Sequence, residues 1–285
     1  MFNTILELTK YRLSLSVIFS SVAGYLIAID YFSIETFLLL FFGGFFLVGA
    51  SNGFNQIIER ERDSIMDRTK NRPIPLGKIS PRSAFIICLI MILSGIVLLY
   101  LINFRTAFFG LISALIYLFL YTPLKTRTPL CVFFGAISGA IPFMLGWVAA
   151  TNKFGIEPGV LFMIQFFWQF PHFWAIGWLS DDDYKKAGFK MLPTGKKDKS
   201  TAFQIVFYTI WTILVSLIPL SGFSGLLTIS YISGLLIFLA GIFMLSKSIN
   251  LMLYMNNLNA LRLKYASIFY LTFIQIIFVL DKFII

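Results

Sequence analysis

The sequence predicts an all-α polytopic membrane protein, and three features of its 285 residues support this class. Hydrophobic residues make up 58% of the chain and charged residues only 13%, about half the charged share of a soluble domain. The mean hydropathy is +0.85. The apolar runs are continuous and about 20 residues long, which suits spanning helices, whereas a membrane β-barrel would alternate in segments of about ten residues. The same composition argues against a soluble fold, a disordered chain and a module that binds nucleic acid.

Nine apolar runs are long enough to be transmembrane helices. Their approximate bounds are 13–29, 36–58, 83–103, 104–121, 130–150, 158–180, 202–220, 223–246 and 266–283. The third and fourth runs are separated only near Asn103–Arg105, and the seventh and eighth only at Ser221–Gly222. No small-residue cleavage pattern follows the first run and no Arg-rich presequence precedes it, so we expect a multi-pass protein of a bacterial cell (inner) membrane.

Positive charge is distributed unevenly between these runs, and the asymmetry predicts the topology. Twenty of the 23 Lys and Arg residues lie in the N-terminal tail or after the even-numbered runs, and only Arg105, Lys153 and Lys282 lie on the opposite side. Cytoplasmic loops of membrane proteins are enriched in Lys and Arg. We therefore expect a cytoplasmic N-terminus, an external C-terminus, and two long cytoplasmic loops after the second and sixth helices.

The first of these loops begins with acidic residues and continues with basic ones. Asn55, Glu59 and Asp63 are spaced by four residues, so a helix would place all three on one stripe. Oxygen ligands gathered on one face suit Mg²⁺, which is often shared with a substrate phosphate. Three bases that could bind phosphate oxygens follow at once, namely Arg68, Lys70 and Arg72. This order suits a lipid diphosphate at the membrane boundary, although a solvated helix end with paired charges would show the same pattern.

The second long loop follows the sixth run and repeats the order of acids before bases. Asp181, Asp182 and Asp183 come directly before several lysines. Three adjacent residues cannot all face one direction on a helix, so we expect one or two of them to serve a metal and the rest to be solvated. Within the sixth run, Pro171 is expected to free a backbone carbonyl, and it precedes His172, the only histidine of the chain.

Five stretches of the sequence resemble the protohaem IX farnesyltransferases (haem O synthases), a branch of the intramembrane aromatic prenyltransferase superfamily. The resemblance covers most of the chain and rests on residues 55–73, 121–129, 135–147, 168–173 and 183–193. The first and fourth stretches together are specific to the haem branch, whereas the acidic stripe alone would identify only the superfamily. Glu59 stands where many members of the superfamily carry Asp, and the second motif lacks a clean Asp-xxx-Asp.

The resemblance implies a single intramembrane prenyltransferase domain over residues 1–285, with nine helices around a central cavity that cytoplasmic loops cap. It implies transfer of the farnesyl group of farnesyl diphosphate to the 2-vinyl group of haem B, with addition of water, to give haem O. Haem B is then a substrate and Mg²⁺ the cofactor. By similarity, the metal is held by Asn55, Glu59 and Asp63 on one side and Asp183 on the other. The phosphates are held by Arg68, Lys70, Arg72, Lys125 and Arg127.

Two further implications concern partners and the histidine. The bilayer would hold the farnesyl chain and haem, and a haem A synthase or a terminal oxidase would be an assembly partner. His172 would be either an axial ligand of the haem iron or a core residue bonded to the carbonyl that Pro171 frees.

Several readings of the same residues stay open. One alternative is a transporter, but a transporter would place ionisable groups near the membrane midplane, whereas these acids cluster at the expected cytoplasmic edge. The nearer alternative is a related enzyme that transfers a prenyl chain to a quinone precursor. Gly135 and Gly139 allow either close helix packing or room for a flat macrocycle. Trp147, Trp174 and Trp178 lie near helix ends and are expected to anchor the protein at the membrane interface.

Overall fold

The computed structural model describes residues 1–284, which form helices joined by turns and contain no strand. The first seven helices are α1 (Phe2–Leu8), α2 (Tyr11–Ala28), α3 (Ile34–Ile65), α4 (Pro81–Ile102), α5 (Phe104–Leu115), α6 (Thr122–Leu124) and α7 (Cys131–Thr151). The remaining five are α8 (Ile156–Leu179), α9 (Asp181–Lys186), α10 (Lys199–Ser216), α11 (Tyr231–Tyr254) and α12 (Asn257–Ile284). A π-helical turn at Ile116–Tyr121 joins α5 to α6 without a break.

Eight helical segments within residues 1–284 are long and apolar enough to cross a membrane, with α5 and α6 counted as one segment. The sequence predicts nine, and the difference lies in α8. This helix has 24 residues, but Gln165, Gln169 and His172 lower its apolar character. The all-α membrane class is thus confirmed, with eight segments that meet the criterion.

Capping residues explain where the helices begin. The Ser80 hydroxyl accepts the Ser83 N–H at 3.0 Å, just ahead of Pro81 at the first position of α4. Asn103 separates α4 from α5, as the sequence predicts, because its side chain accepts the Thr106 N–H at 2.8 Å. A capping side chain satisfies a backbone donor that the first helical turn leaves free.

The last two predicted helices are displaced along the chain. The eighth apolar run was expected at 223–246, but α11 begins only at Tyr231, after turns in which Gly222 and Gly225 have positive φ. Glycine adopts that conformation without a steric penalty. The ninth helix was expected at 266–283, but it begins at Asn257, only two residues after the end of α11. Hydropathy alone could not locate these turns, since Phe223 and Leu226 inside them are themselves apolar and exposed.

Two glycines allow the backbones of α2 and α7 to touch. A Cβ atom at Gly24 would overlap the Phe143 carbonyl oxygen, and one at Gly146 would overlap the Ser21 carbonyl oxygen. Small residues at such crossings are typical of membrane bundles, where close packing drives association. α7 is therefore held centrally, with α2 on one side and α5 and α8 on others.

The tryptophans predicted to be interface anchors are inside the protein, so that prediction is wrong. Trp147, Trp174 and Trp178 are 6%, 5% and 0% exposed. Trp174 packs between Phe170 and Tyr208, with ring centroids 5.3 and 5.2 Å away. Their large apolar area fills the space between α7, α8 and α10.

Candidate functional site

Asn55, Glu59 and Asp63 lie on one face of α3, near its C-terminal end, and line one cavity. Successive members are about 6 Å apart along the helix axis. Their residues are only 1%, 4% and 0% exposed. The stripe predicted from the spacing is therefore present, and it forms the wall of a cavity rather than a solvated helix end.

Each carboxylate of the stripe has its own cation. Arg72 Nη1 donates to Asp63 Oδ2 at 2.6 Å, and Lys125 Nζ donates to Glu59 Oε1 at 2.8 Å. Hydrogen bonds between charged groups are stronger than neutral ones. Burial lowers the pKa of Lys125, but the Glu59 carboxylate, together with Tyr117 and Tyr184, outweighs it and the net shift of the pKa is upward. Both pairs therefore hold opposite charges together at the cavity wall.

The second oxygen of Asp63 points to a further ligand. Oδ1 is buried and has no hydrogen-bond partner among residues 1–284. Buried polar atoms are nearly always satisfied in folded proteins. A free carboxylate oxygen, a second carboxylate and an amide oxygen form a donor set that Mg²⁺ prefers. The stripe therefore fits a hard divalent cation.

The protein alone does not complete such a site. Within the described chain, no group of three or more His, Cys, Asp or Glu side chains is placed to hold a metal ion. Mg²⁺ usually keeps several waters and shares its remaining positions with substrate phosphates. The three stripe residues are consistent with that open mode of binding, in which a diphosphate supplies further oxygens.

Lys10 is a residue of this site that the sequence analysis missed. It lies between α1 and α2 with φ of 47°, a left-handed conformation uncommon outside glycine. Its Nζ donates to Asn55 Oδ1 at 3.3 Å. Burial, followed by the charges of Arg72 and Lys125, lowers the pKa of Lys10 to about 7.

The turn that carries Lys10 is fixed from α3. Gln56 Nε2 donates to the carbonyl oxygens of Glu7 and Leu8, at 3.1 and 2.7 Å. The available signal in the sequence is a lysine three residues before the first apolar run. The charge asymmetry alone counts it only as part of the basic N-terminal tail.

Asp183, the predicted fourth metal ligand, does not line the cavity with the stripe. Its carboxylate accepts the backbone N–H groups of Asp67 and Arg68, at 3.1 and 3.0 Å. Burial raises the pKa of Asp183, but these two N–H groups outweigh it, so the net shift is downward. Asp183 therefore joins the loop after α3 to α9, and the second acidic cluster acts here as a connection between loops.

Asp67 strengthens the same connection. Its carboxylate pairs with Lys70 at 2.8 Å and with Lys186 of α9 at 2.6 Å. Hydrogen bonds from Lys186 and Lys70 lower the pKa of Asp67 to about 2. These groups are largely exposed, so each pair contributes little stability on its own.

Three of the five predicted phosphate-binding residues reach the cavity, namely Arg68, Arg72 and Lys125. Lys70 and Arg127 are exposed and do not line it. Lys70 does not reach the cavity because of the tight turn after α3. In this turn two backbone N–H groups donate to the Met66 carbonyl oxygen, and the Lys70 ammonium donates to the Asp67 carboxylate. Arg68 instead lies over the Tyr184 ring, with its guanidinium carbon 5.7 Å from the centroid.

Beyond the charged end, the cavity is large, and aromatic rings form the part of its wall next to the ion pairs. Its volume is about 620 Å³. Lys125 Nζ lies 4.4 Å from the Tyr121 ring centroid. That ring stacks on Phe173 with centroids 6.4 Å apart and is tilted against Tyr117, with centroids 5.3 Å apart. The π-helical turn contributes both tyrosines, and such turns are frequent at functional sites. An aromatic surface thus begins directly beside the ion pairs.

Gly135 and Gly139 make room for side chains of this wall. A Cβ at Gly135 would lie 2.9 Å from the Tyr121 ring, and one at Gly139 would overlap the amide of Gln169. Both glycines line the cavity. Their role is therefore not close packing between helix backbones.

His172 lies further along the cavity wall on α8. Its Nδ1 is 2.9 Å from Ser267 Oγ of α12, and its ring stacks on Trp168 with centroids 4.6 Å apart. The expected bond to a carbonyl freed by Pro171 is not formed. The imidazole is instead held between two helices, and the residue lines the cavity.

Neutral polar groups line the part of the cavity farthest along α2 from Lys10. Gln275 Nε2 donates to Ser20 Oγ at 2.9 Å, and Gln165 Nε2 lies 3.5 Å from the same oxygen. Gln165 Oε1 is buried without a partner among residues 1–284. The charged groups are therefore confined to one end, and amides and hydroxyls line the other.

Sequence comparisons agree with this architecture. The profile of the UbiA prenyltransferase family matches residues 17–270. A protohaem IX farnesyltransferase of Christiangramia forsetii is 59% identical over 98% of this chain and 93% of its own length. A protohaem IX farnesyltransferase of Flavobacterium psychrophilum is 54% identical over 99% of this chain and 95% of its own length. The similarity thus extends over the segment of α3 that carries the stripe and over the loop that carries the bases.

Solved structures show the same fold. A digeranylgeranylglyceryl phosphate synthase superposes with a TM-score of 0.81 at 23% identity, over 99% of this chain and 98% of its own. A UbiA homologue from Archaeoglobus fulgidus, bound to DMAPP and Mg²⁺, superposes with a TM-score of 0.73 at 18% identity, over 92% and 97% of the two chains. The resemblance inferred from the motifs is confirmed: the chain is a membrane prenyltransferase and belongs to the UbiA prenyltransferase family.

Proposed function

We propose that the protein transfers the farnesyl group of farnesyl diphosphate to the 2-vinyl group of haem B, with addition of water, to give haem O and diphosphate in a Mg²⁺-dependent reaction. The observation that carries the proposal is one cavity in which an ion-paired end that fits a metal adjoins a wall of aromatic rings. The similar proteins are protohaem IX farnesyltransferases, which supports the choice of substrates. The metal in related folds supports the choice of cofactor.

Asn55, Glu59 and Asp63 would hold Mg²⁺, which when bound neutralises the charge that develops on the leaving diphosphate. Lys125 and Arg72 already lie against the two carboxylates. On entry of the diphosphate, these cations exchange a carboxylate partner for phosphate oxygens. The planar guanidinium of Arg72 suits a two-point contact with phosphate. The negative charge of the leaving group is thereby held at the stripe.

The aromatic rings beside the stripe would protect the allylic carbon. The C1–O bond of the farnesyl group breaks with its electron pair on oxygen, which leaves an allylic cation. Ring faces such as those of Tyr121 and Phe173 stabilise a cation and exclude water from it. The terminal vinyl carbon of haem B then bonds to C1. Water adds to the vinyl carbon beside the macrocycle and loses a proton, which gives the hydroxyethylfarnesyl group.

The topology belongs to the same proposal. We count α8 as a ninth span, because its polar residues face the cavity and neighbouring helices rather than lipid. The charge asymmetry then places the N-terminus, the stripe and α9 on the cytoplasmic side of a bacterial inner membrane. The described chain forms one domain. A haem A synthase or a terminal oxidase, which would use a modified haem, is the expected partner class.

The decisive experiment is product analysis with purified protein in lipid nanodiscs. Farnesyl diphosphate, haem B and Mg²⁺ should yield haem O by chromatography and mass spectrometry, and omission of Mg²⁺ with added chelator should abolish it. Replacement of haem B by an aromatic quinone precursor should yield no prenylated product. Prenylation of the quinone precursor without formation of haem O would overturn the assignment in favour of the alternative acceptor.

A further inference from the structure

The imidazole of His172 is held in one orientation by groups on two helices. Its ring lies parallel to Trp168 within 17°, with centroids 4.6 Å apart. Trp168 is itself fixed, because its Nε1–H donates to the Ser267 carbonyl oxygen at 2.6 Å. Ser267 Oγ lies 2.9 Å from His172 Nδ1. One residue of α12 therefore positions both stacked rings.

The hydroxyl of Ser267 also selects the tautomer. Its single proton is directed to the Lys264 carbonyl oxygen at 2.8 Å, so the hydroxyl oxygen is left to accept a proton from His172. His172 then carries its hydrogen on Nδ1. Nε2 keeps its lone pair and makes no hydrogen bond within residues 1–284, while the residue lines the cavity.

We infer that His172, through Nε2, is the axial ligand of the iron of the haem substrate, and that Ser267 is the positioning residue that holds it in the required tautomer. The inference rests on the proposed function. Neutral imidazole with one unprotonated nitrogen is a common protein ligand of haem iron. A hydrogen-bond acceptor at the other nitrogen fixes ring orientation and raises ligand basicity.

The location also suits the reaction. His172 adjoins Phe173 at 6.0 Å between centroids, Phe173 stacks on Tyr121, and Tyr121 underlies Lys125 of the stripe. A macrocycle ligated at His172 therefore lies against the aromatic wall that leads to the diphosphate end. Because the chain has one histidine, the bound haem has a single imidazole ligand, and a bis-histidine complex within one protomer is excluded.

The test is haem titration of the purified protein in nanodiscs, followed by Soret absorption and electron paramagnetic resonance. Wild type should give the signature of one histidine ligand. His172→Gly should lose that signature and bind haem at least tenfold more weakly, and added imidazole should restore the signature. Farnesyl diphosphate binding by His172→Gly should persist, which shows that the fold is intact.

Ser267→Ala tests the positioning role. It should retain histidine ligation but raise the iron midpoint potential, because Nδ1–H loses its acceptor and Nε2 becomes a weaker donor. Ser248→Ala is the matched control: Ser248 is likewise buried and donates to a carbonyl three residues earlier, but it lies on α11 away from the cavity. It should leave the potential unchanged.

Three outcomes would overturn the inference. An unchanged signature and haem affinity in His172→Gly would remove the ligand role, and failure of imidazole to restore the signature would remove it as well. Equal potentials in Ser267→Ala and wild type would remove the positioning role. Failure of the proposed function looks different, because wild-type protein would then bind no haem and form no haem O. Haem O formation with an unaltered His172→Gly spectrum would refute only the ligation.

Discussion

Replacement of Asp63 by asparagine tests the stripe most directly. The side chain keeps its shape but loses the charge that faces the unfilled position at Oδ1. Loss of one group that stabilises developing charge typically lowers turnover by about 10²- to 10³-fold, which corresponds to about 2.7–4 kcal/mol. We expect a loss of that size in haem O formation, with Mg²⁺ and farnesyl diphosphate both binding more weakly.

The fold should survive this change, because two electrostatic effects oppose each other. Breaking a buried ion pair costs about 3–5 kcal/mol, but the Arg72 side chain is 20% exposed and can turn to water. Glu59 and Asp63 lie one helical turn apart, and two charges at about 6 Å repel by about 3 kcal/mol at an effective dielectric constant of 20. Removing one carboxylate relieves that repulsion. The melting temperature in nanodiscs should therefore shift little.

Asp67→Asn is the matched control for Asp63→Asn. The chemical change is identical and lies four residues further along the chain, but Asp67 is exposed and pairs with surface lysines. Turnover should stay within about twofold of wild type, since exposed pairs contribute little. If Asp63→Asn kept more than a tenth of wild-type turnover at saturating Mg²⁺, the assignment of the stripe to the metal would be wrong.

Three other predictions concern Arg72, the topology, and the coupling between Mg²⁺ and diphosphate binding. Arg72→Ala should raise the KM for farnesyl diphosphate about tenfold and leave the KM for haem nearly unchanged; equal effects on both would indicate a structural role. Reporter fusions should place residues 60–80 and 181–200 in the cytoplasm and the C-terminus outside, and a cytoplasmic C-terminus would refute the ninth span. Calorimetry should show that Mg²⁺ binds at least tenfold more tightly with inorganic diphosphate present, and independent binding would contradict the charge exchange at the stripe.

Local pattern was sufficient to predict the helical class and the stripe. Continuous apolar runs locate most helices, because lipid requires about 20 apolar residues for each span. A spacing of four residues is enough to align Asn55, Glu59 and Asp63, since helical geometry requires it. The same pattern could not show that these side chains line a cavity. Their burial depends on helices from distant parts of the chain.

The partners of the stripe could not be predicted, because they depend on long-range folding. Lys125 is 66 residues from Glu59, and its ammonium reaches the carboxylate only after the π-helical turn. Asp183 is a second case: the sequence suggested a metal ligand, and could not show that its carboxylate accepts backbone N–H groups 115 and 116 residues away. Residue type alone could not distinguish a carboxylate that lines the cavity from one that binds backbone N–H groups of another loop.

The two ion pairs explain why the site should favour metal and diphosphate together. Mg²⁺ alone would lie beside Lys125 and Arg72, which places two cations next to a divalent ion in a poorly hydrated wall. Diphosphate alone would have to draw the same cations away, which leaves Glu59 and Asp63 facing further negative charge. When both arrive, each carboxylate exchanges a cation for the metal and each cation exchanges a carboxylate for phosphate, so no buried charge stays unpaired. We therefore expect the two ion pairs to disfavour the binding of either ion by itself and to favour the complete metal diphosphate.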